Sequence, residues 1–416
     1  MIQKNSHGSI AILIDDYLPD STKVASKMMH ELAIEFKSRG YEVDVYTPLI
    51  LGKVQKGISN LNIQMDGINI FRFYAGKLKT ASKPLRLINE ILMPYKGILR
   101  YYNKLGSRNY QFVISYSPSI FWYPFVLFLK IKSNAKSFLI LRDFFPQWVI
   151  DNGMIKEKSL IAKFFRWHES KCYSASDIIG IQSPANLNWF QDKFPIFRNK
   201  STLLYNWASP LGFKSNQSQS RIKDKIGNFR KKYNLESKII FFYGGNIGHA
   251  QDIRNLLQLA EDMVPYKDVF FVFMGSGDEV DLLKNWISDR NLQNTLYLES
   301  VDQGEFIQIL QEVNVGLFSL HPHHTTHNFP GKILAYCQVG IPILGAVNTG
   351  NDIVSVIEGN GAGKISIAGD SKTLFKNAVL LSDEKVRKRM SEKSLLLMDT
   401  YFSTAKTVDL ILSSFE

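Results

Sequence analysis

The sequence predicts an α/β protein made of two doubly wound, Rossmann-like domains facing each other across a cleft. Three observations carry this expectation. Short apolar runs of strand length alternate with amphipathic helical stretches along most of the chain. The alternation is interrupted once, by the polar run Lys214-Ser215-Asn216-Gln217-Ser218-Gln219-Ser220, and restarts at Ile239. At 416 residues the chain is also too long for one ordinary core, and two domains of about 200 residues are the natural expectation.

Taken in order, residues 10–14 read as a buried strand and residues 23–39 as an amphipathic helix stopped by Gly40. A second strand, 42–46, is ended by Pro48; 112–116, 137–141 and 178–182 are further short buried runs, separated by helical stretches such as 160–174. In the second half, the strand 239–243 runs into Gly244-Gly245-Asn246-Ile247-Gly248, and residues 252–261 continue with helical periodicity. The strand 269–274 runs into a second glycine turn, Gly275-Ser276-Gly277-Asp278. Residues 327–345 read as a turn, a helix opened by Pro330, a Gly340-Ile341-Pro342 break and a strand. The tail, 382–416, reads as helical throughout. The expected domains are therefore 1–205 and 206–397, with 398–416 as a C-terminal helix packing back on the first domain.

Strand, glycine turn and helix together form half of a nucleotide-binding βαβ unit, in which glycines let phosphate oxygens approach the main chain. The helix opening at Pro330-Gly331-Lys332 adds free amides, a partial positive charge and one full one, which suits a phosphate-bearing ligand. A plain surface lysine is the competing reading. Ligands of doubly wound domains bind outside the carboxyl ends of the strands. Asp16 and Asp143 each follow a strand, where a carboxylate can act as a general base or cap the next turn. His321, His323, His324 and His327 fall within seven residues. They invite a metal reading, but no carboxylate or cysteine flanks them at ligand spacing, so a pocket wall or a surface loop fits better.

Hydrophobic residues make up 45% of the chain and aromatics 12%, enough for two cores and too many for a disordered chain. Two cysteines cannot form a disulfide framework, which fits a reducing cytoplasm. No basic-then-apolar leader precedes the first strand, so no secretory signal is expected. The longest apolar run, 120–129, is too short for a bilayer, which needs roughly 20 residues; it reads as a core or interfacial helix. The net charge of +12 is uneven. Residues 77–108 hold eight cations against one acid, Glu90, interleaved with Met93, Tyr95, Tyr101 and Tyr102. Without a nucleic-acid module, an anionic membrane surface is the first reading of that stretch and a solvated face the second.

The pattern Phe329-Pro330-Gly331-Lys332-x-x-x-Tyr336-x-x-x-Gly340-x-Pro342, with the turns at 243–248 and 275–278, resembles glycosyltransferase family 4, which has the GT-B fold. The resemblance spans essentially the whole chain. It is closest to bacterial O-antigen and capsule enzymes that transfer N-acetyl-L-fucosamine, through residues 14–19, 141–151, 206–209, 241–251 and 327–332. It implies transfer from a UDP-sugar, without a metal, to an undecaprenyl-diphosphate-linked saccharide. It also implies a peripheral place on the cytoplasmic face of the inner membrane, and no nucleic-acid partner. Lys332, Asp143 and Asp16 become the catalytic candidates. The donor-side candidates are Gly244, Gly245, Asn246, Gly248, Arg254, Gly275, Gly277, Val301, His327, Asn328, Phe329, Pro330, Gly331 and Lys332.

Several positions depart from the family pattern. Its two glutamates, eight residues apart, are here His327 and Ala335. The arginine and lysine that neutralise the diphosphate are here Asn246 and Gln251, and the usual histidine before Asp143 is Arg142. Lys332, Arg254 and Arg142 are the replacement cations expected. Two competing functions remain. One is a UDP-sugar-hydrolysing epimerase of the same fold; the other is a basic nucleic-acid-binding protein, which would show steeply salt-dependent duplex binding.

Overall fold

The computed structural model describes residues 8–21, 23–49, 61–78, 80, 82–151, 153–209, 229–322 and 329–416. The polar run at 214–220 lies outside the described residues. The chain divides into two compact units, Met1–Tyr205 with Thr404–Glu416, and Asn206–Ser403.

The first unit runs β1 (Ser9–Leu13), α1 (Val24–Ser38), β2 (Glu42–Pro48), β3 (Asn62–Met65), β4 (Ile68–Phe73), α2 (Lys83–Ser107), β5 (Tyr110–Tyr116) and α3 (Tyr123–Ser133). It continues with β6 (Lys136–Leu141), α4 (Gln147–Asp151), α5 (Leu160–Ala175), β7 (Ile178–Ile181), α6 (Pro184–Lys193) and β8 (Ser201–Leu203). The sheet order is β3-β4-β2-β1-β5-β6-β7-β8, parallel except for β3 against β4. β1 is flanked by β2 and β5, which explains why Ile10 to Leu13 are wholly apolar and wholly buried. The β3–β4 hairpin, absent from the expected strands, turns on Asp66 and Gly67, both at positive φ (50° and 74°). That is the Asp-Gly turn whose twist matches the strands it joins.

The expected basic stretch at 77–108 changes in two respects. Of the residues interleaved with its cations, Met93 and Tyr101 are buried, and the Tyr101 hydroxyl donates to the Arg72 carbonyl at 2.5 Å. Arg108 is tied to Asp44 and Glu42, and Arg86 to Glu90, so not every cation of that stretch is available to a partner. The apolar run at 120–129 enters α3 and packs Phe125, Val126 and Leu129 into the core.

The second unit runs α7 (Phe229–Lys232), β9 (Ile239–Gly244), α8 (Ile253–Asp262), β10 (Val269–Met274), α9 (Val280–Asp289), β11 (Thr295–Leu298), α10 (Gln303–Leu310) and β12 (Val315–Ser319). It ends with α11 (Gly331–Val339), β13 (Ile343–Val347), α12 (Ile353–Ile357), β14 (Gly363–Ile367), α13 (Ser371–Leu381) and α14 (Glu384–Leu397). Its sheet is wholly parallel in the order β11-β10-β9-β12-β13-β14, so the winding reverses between β9 and β12.

The tail is not one continuous helix. After α14 come a π-helical turn, Met398–Phe402, and extended Ser403 (φ −75°, ψ 144°), which bridges to Ala208. Residues 398–403 therefore cluster with the second unit, and the returning helix α15 begins at Thr404 (Thr404–Ser413). α15 packs on α1, where Arg39 donates to Asp409 (2.5 Å) and to the Ala405 carbonyl (2.8 Å). Beyond it, Phe415 stacks on Phe112.

Candidate active site

In the second unit, the crevice rule for doubly wound sheets points to the carboxyl ends of β9 and β12, where the strand order reverses. β9 ends at Gly244, and Gly245 follows at φ 121°. The two glycine turns lie against each other. Gly245 N–H donates to the Met274 carbonyl and Ile247 N–H to the Ser276 carbonyl, both at 2.9 Å. A Cβ on Gly275 would lie 1.8 Å from the Gly245 oxygen, and one on Gly277 would lie 2.1 Å from the Ile247 oxygen. These two glycines thus have a packing task, the close approach of one turn's backbone to the other. Gly275 also sits at φ 155°. Gly275→Ala should destabilise the unit by about 3 kcal/mol, read as a lower midpoint in denaturant at unchanged slope.

The remaining glycines differ. Above Gly331 a Cβ would meet nothing within 4 Å, and above Gly245 it would meet only the end of Lys332, at 3.7 and 3.9 Å. Gly244 faces Phe306, and Gly248 faces Asp278 and Asn246. The Asn246 amide donates to Gln251 at 2.7 Å. The helix α11 starts one residue later than expected. Pro330 is its extended N-cap and Gly331 its first helical residue, with Phe329 buried against Phe402.

Lys332 is the second residue of α11; the residue as a whole is half-buried, but its Nζ is shielded from solvent. Its Nζ lies 3.4 Å from the centre of the Tyr243 ring and has no hydrogen-bond partner among the described residues. Burial alone pushes its pKa well below the usual lysine value, because the charged form is desolvated and nothing compensates it. One turn on, Tyr336 holds this arrangement. Its hydroxyl donates to the Leu317 carbonyl (2.9 Å) and accepts Gly244 N–H (3.3 Å), joining α11 to the ends of β9 and β12.

Other expected donor-side residues are placed less centrally. Arg254 is exposed on α8, and Val301 is half-buried in the loop between β11 and α10. His327 and Asn328 lie outside the described residues, as do His323 and His324. His321 N–H donates to the Ala250 carbonyl (3.0 Å), and its ring lies 4.7 Å from that of His249, which approaches Glu279. No group of three or more His, Cys, Asp or Glu able to hold a metal occurs among the described residues.

In the first unit the winding reverses between β1 and β5. Asp16 lies just beyond β1 and is buried, with Lys23 Nζ 2.9 Å from its carboxylate, while its carbonyl accepts Ser26 Oγ. Asp143 follows β6 with its side chain exposed, although enough protein crowds it to push its pKa up against the pull of Arg142. Its accessibility is what an incoming substrate would meet. Arg142 is buried and donates to the Leu204 and Tyr205 carbonyls (2.9 and 3.2 Å), so its guanidinium secures the end of the first unit's chain.

Asp15 was missed in the sequence. Its carboxylate accepts Trp122 Nε1–H at 2.6 Å, at the point where β1 and β5 diverge. Its pKa is pushed up to about 7, chiefly by burial and further by the charges of Glu90 and Asp16, against the Trp122 hydrogen bond and Lys23. The adjacent pair of aspartates was the available signal. Only the structure separates them, giving one a cation and the other an indole.

Comparison with known proteins agrees with this layout. Residues 225–395 match the family described as glycosyl transferases group 1. The probable glycosyltransferase WbjE of Pseudomonas aeruginosa is 24% identical over 346 residues, covering 78% of this chain and 81% of that protein. Among solved structures, sucrose-phosphate synthase from Thermosynechococcus elongatus superposes with a TM-score of 0.68 at 12% identity, covering 98% of this chain and 99% of the other. HepE from Anabaena, solved with UDP and glucose, has a TM-score of 0.65 at 12% identity, with the same coverage. At such identities the structures speak to the fold, and the family match speaks to the second unit. Residues 225–395 thus match the glycosyl transferases group 1 family, and the chain is a glycosyltransferase of GT-B fold.

Proposed function

We propose that the protein transfers a sugar, N-acetyl-L-fucosamine, from its UDP donor to an undecaprenyl-diphosphate-linked saccharide in O-antigen or surface-polysaccharide assembly. The carrying observation is the Lys332 amine, shielded from solvent and without a hydrogen-bond partner among the described residues, next to Gly245 at the reversal point of the second sheet. A buried amine that lacks a partner is costly, and a diphosphate entering the space above Gly331, beside Gly245 and the Lys332 amine, supplies one. Departure of UDP is the step most in need of charge stabilisation, and Lys332 with the amides at the start of α11 provides it. The second unit therefore takes the donor and the first the acceptor.

As the acceptor hydroxyl attacks the anomeric carbon, its proton goes to a carboxylate of the first unit. Asp15 suits this better than Asp16, because Asp16 is held by Lys23, whereas Asp15 titrates near neutrality. The UDP and glucose bound by HepE support the choice of nucleotide, and the subgroup resemblance of residues 141–151 and 327–332 supports the sugar. No helix among the described residues is long and apolar enough to cross a membrane. We place the protein peripherally on the anionic cytoplasmic leaflet, where a lipid-linked acceptor is presented.

UDP should raise the melting temperature of the protein, and GDP or dTDP should raise it less. A thermal-shift panel of the three nucleotides checks this; equal shifts, or none, overturn the donor assignment. Incubation with UDP-sugar and no acceptor then separates transfer from the epimerase alternative, since only the epimerase releases free altered sugar at full rate.

A further inference from the structure

The helix α2 carries an apolar stripe that its packing leaves unused. Leu85, Ile88, Leu92, Tyr95, Leu99 and Tyr102 recur at alternating spacings of three and four residues, and all six are exposed. The opposite face, through Met93, Tyr101 and Leu105, fills the core, so α2 is apolar on two sides. α3 packs against both α2 and α5, joined by the ring pairs Tyr102–Phe128 (6.0 Å) and Tyr123–Trp167 (6.4 Å). α3 exposes Ile131 at 86%, and α5 adds Leu160 at 83% with Ile161, Phe164 and Trp167. Three adjacent helices of one unit thus share an apolar surface of a kind that monomeric soluble proteins rarely leave open.

Charge decides what covers it. α2 has Lys83, Arg86, Lys96, Arg100 and Lys104 against Glu90; α3 has no acid and two lysines, Lys130, paired with Asp177, and Lys132; α5 has Lys163, Arg166 and Lys171 against Glu169. Both acids are already paired within their own helices, to Arg86 and Arg166. A second copy docking here would bring cations onto cations. An anionic bilayer offers phosphates to the cations and acyl chains to the stripe. A cavity of about 410 Å³ at the end of α2, lined by Leu99, Arg100, Tyr102 and Lys104 among others, combines both contacts in one place.

We propose that the outer surface of α2, α3 and α5 is a bilayer-docking face, with the α2 stripe and Leu160, Phe164 and Trp167 inserted into the boundary between headgroups and acyl chains of an anionic leaflet. The inference rests on the peripheral membrane placement above and changes its physics. Attachment by charge alone disappears in strong salt, whereas inserted apolar side chains hold.

Co-sedimentation of the full chain with phosphatidylglycerol/phosphatidylethanolamine vesicles at low salt and at about 1 M salt, where the Debye length is about 3 Å, tests it. The wild-type protein should bind at low salt and keep a substantial bound fraction at high salt. Leu85→Ser/Ile88→Ser/Leu92→Ser/Leu99→Ser should lose the salt-resistant fraction and weaken low-salt binding at least tenfold. Lys96→Glu/Arg100→Glu/Lys104→Glu should weaken the low-salt binding. Leu160→Ser/Phe164→Ser, on a separate helix, serves if the α2 variant fails to fold by circular dichroism. Complete release of the wild type at high salt overturns the proposal, as does a solution dimer that the stripe substitutions dissociate. Transfer to a water-soluble acceptor, measured in parallel, keeps the two readings apart. Transfer without salt-resistant binding sinks the docking face alone, and absence of transfer by the wild type sinks the proposed function.

Discussion

Lys332→Met should lower sugar transfer at least ~100-fold and at the same time raise the melting temperature of the ligand-free protein. The first effect is the size expected from losing one preorganised electrostatic contact to the departing diphosphate. The second follows from burial. Methionine has nearly the shape of lysine and needs no partner, whereas the shielded Lys332 amine lies against the Tyr243 ring and has no hydrogen-bond partner among the described residues. Relief of such a group contributes roughly 1–3 kcal/mol, which at about 2–4 °C per kcal/mol is visible in a thermal scan.

The direction with pH can be stated as well. The folded pKa of Lys332 lies below the unfolded one, so between the two the unfolded chain binds more protons, and stability rises with pH across that window. The stability gained by Lys332→Met is therefore largest below the folded pKa. UDP should bind with uptake of a proton and more weakly as pH rises, because the diphosphate pairs with the charged amine. Calorimetry in buffers of different ionisation enthalpy measures that proton. A correctly folded Lys332→Met enzyme with near-normal turnover would remove Lys332 from the mechanism.

Asp15→Asn should reduce kcat by ~10²–10⁴, the range typical of a positioned general base. The profile of kcat/KM against pH gives the more diagnostic reading. With the Asp15 pKa at about 7, wild-type activity should rise through neutrality as the carboxylate ionises, and that limb should be missing in the variant. The stability effect has the opposite slope to that of Lys332. Asp15 in the folded protein holds its proton up to about pH 7, against the ordinary 3.8, so its contribution falls as pH rises between those values. Asp15→Asn should accordingly be more stable than wild type above pH 7. Asp16→Asn, which leaves Lys23 without its partner, should cost stability without moving the limb. If the limb moves with Asp16 and not Asp15, the proton acceptor has been misassigned.

Much of the fold was legible because buried parallel strands are continuous apolar runs. Residues 10–14, 239–243 and 269–274 could hardly be read otherwise. The β3–β4 hairpin was missed because Asn62 to Met65 alternates at an exposed edge and leaves no apolar run, even though Asp66-Gly67 marks its turn. The tail read as unbroken helix because nothing local marks Ser403. Its extended conformation comes from pairing with Ala208, nearly two hundred residues earlier in the chain. The exposed stripe on α2 was hidden by the core face of the same helix. Period alone cannot say which of two apolar faces is buried.

The sequence by itself determined the α/β class, the two tandem windings, the glycine turns and the lysine opening a helix near them, because periodicity and turn chemistry are local properties. Only the tertiary structure decided what each of these does. It put Gly275 and Gly277 against the other turn's backbone, shielded the Lys332 amine with no hydrogen-bond partner among the described residues, paired Asp16 with Lys23 and placed Asp15 on an indole. The physical reason is the same in each case. A side chain's charge, room and proton affinity are set by what packs around it, and here those neighbours come from strands and helices far away along the chain.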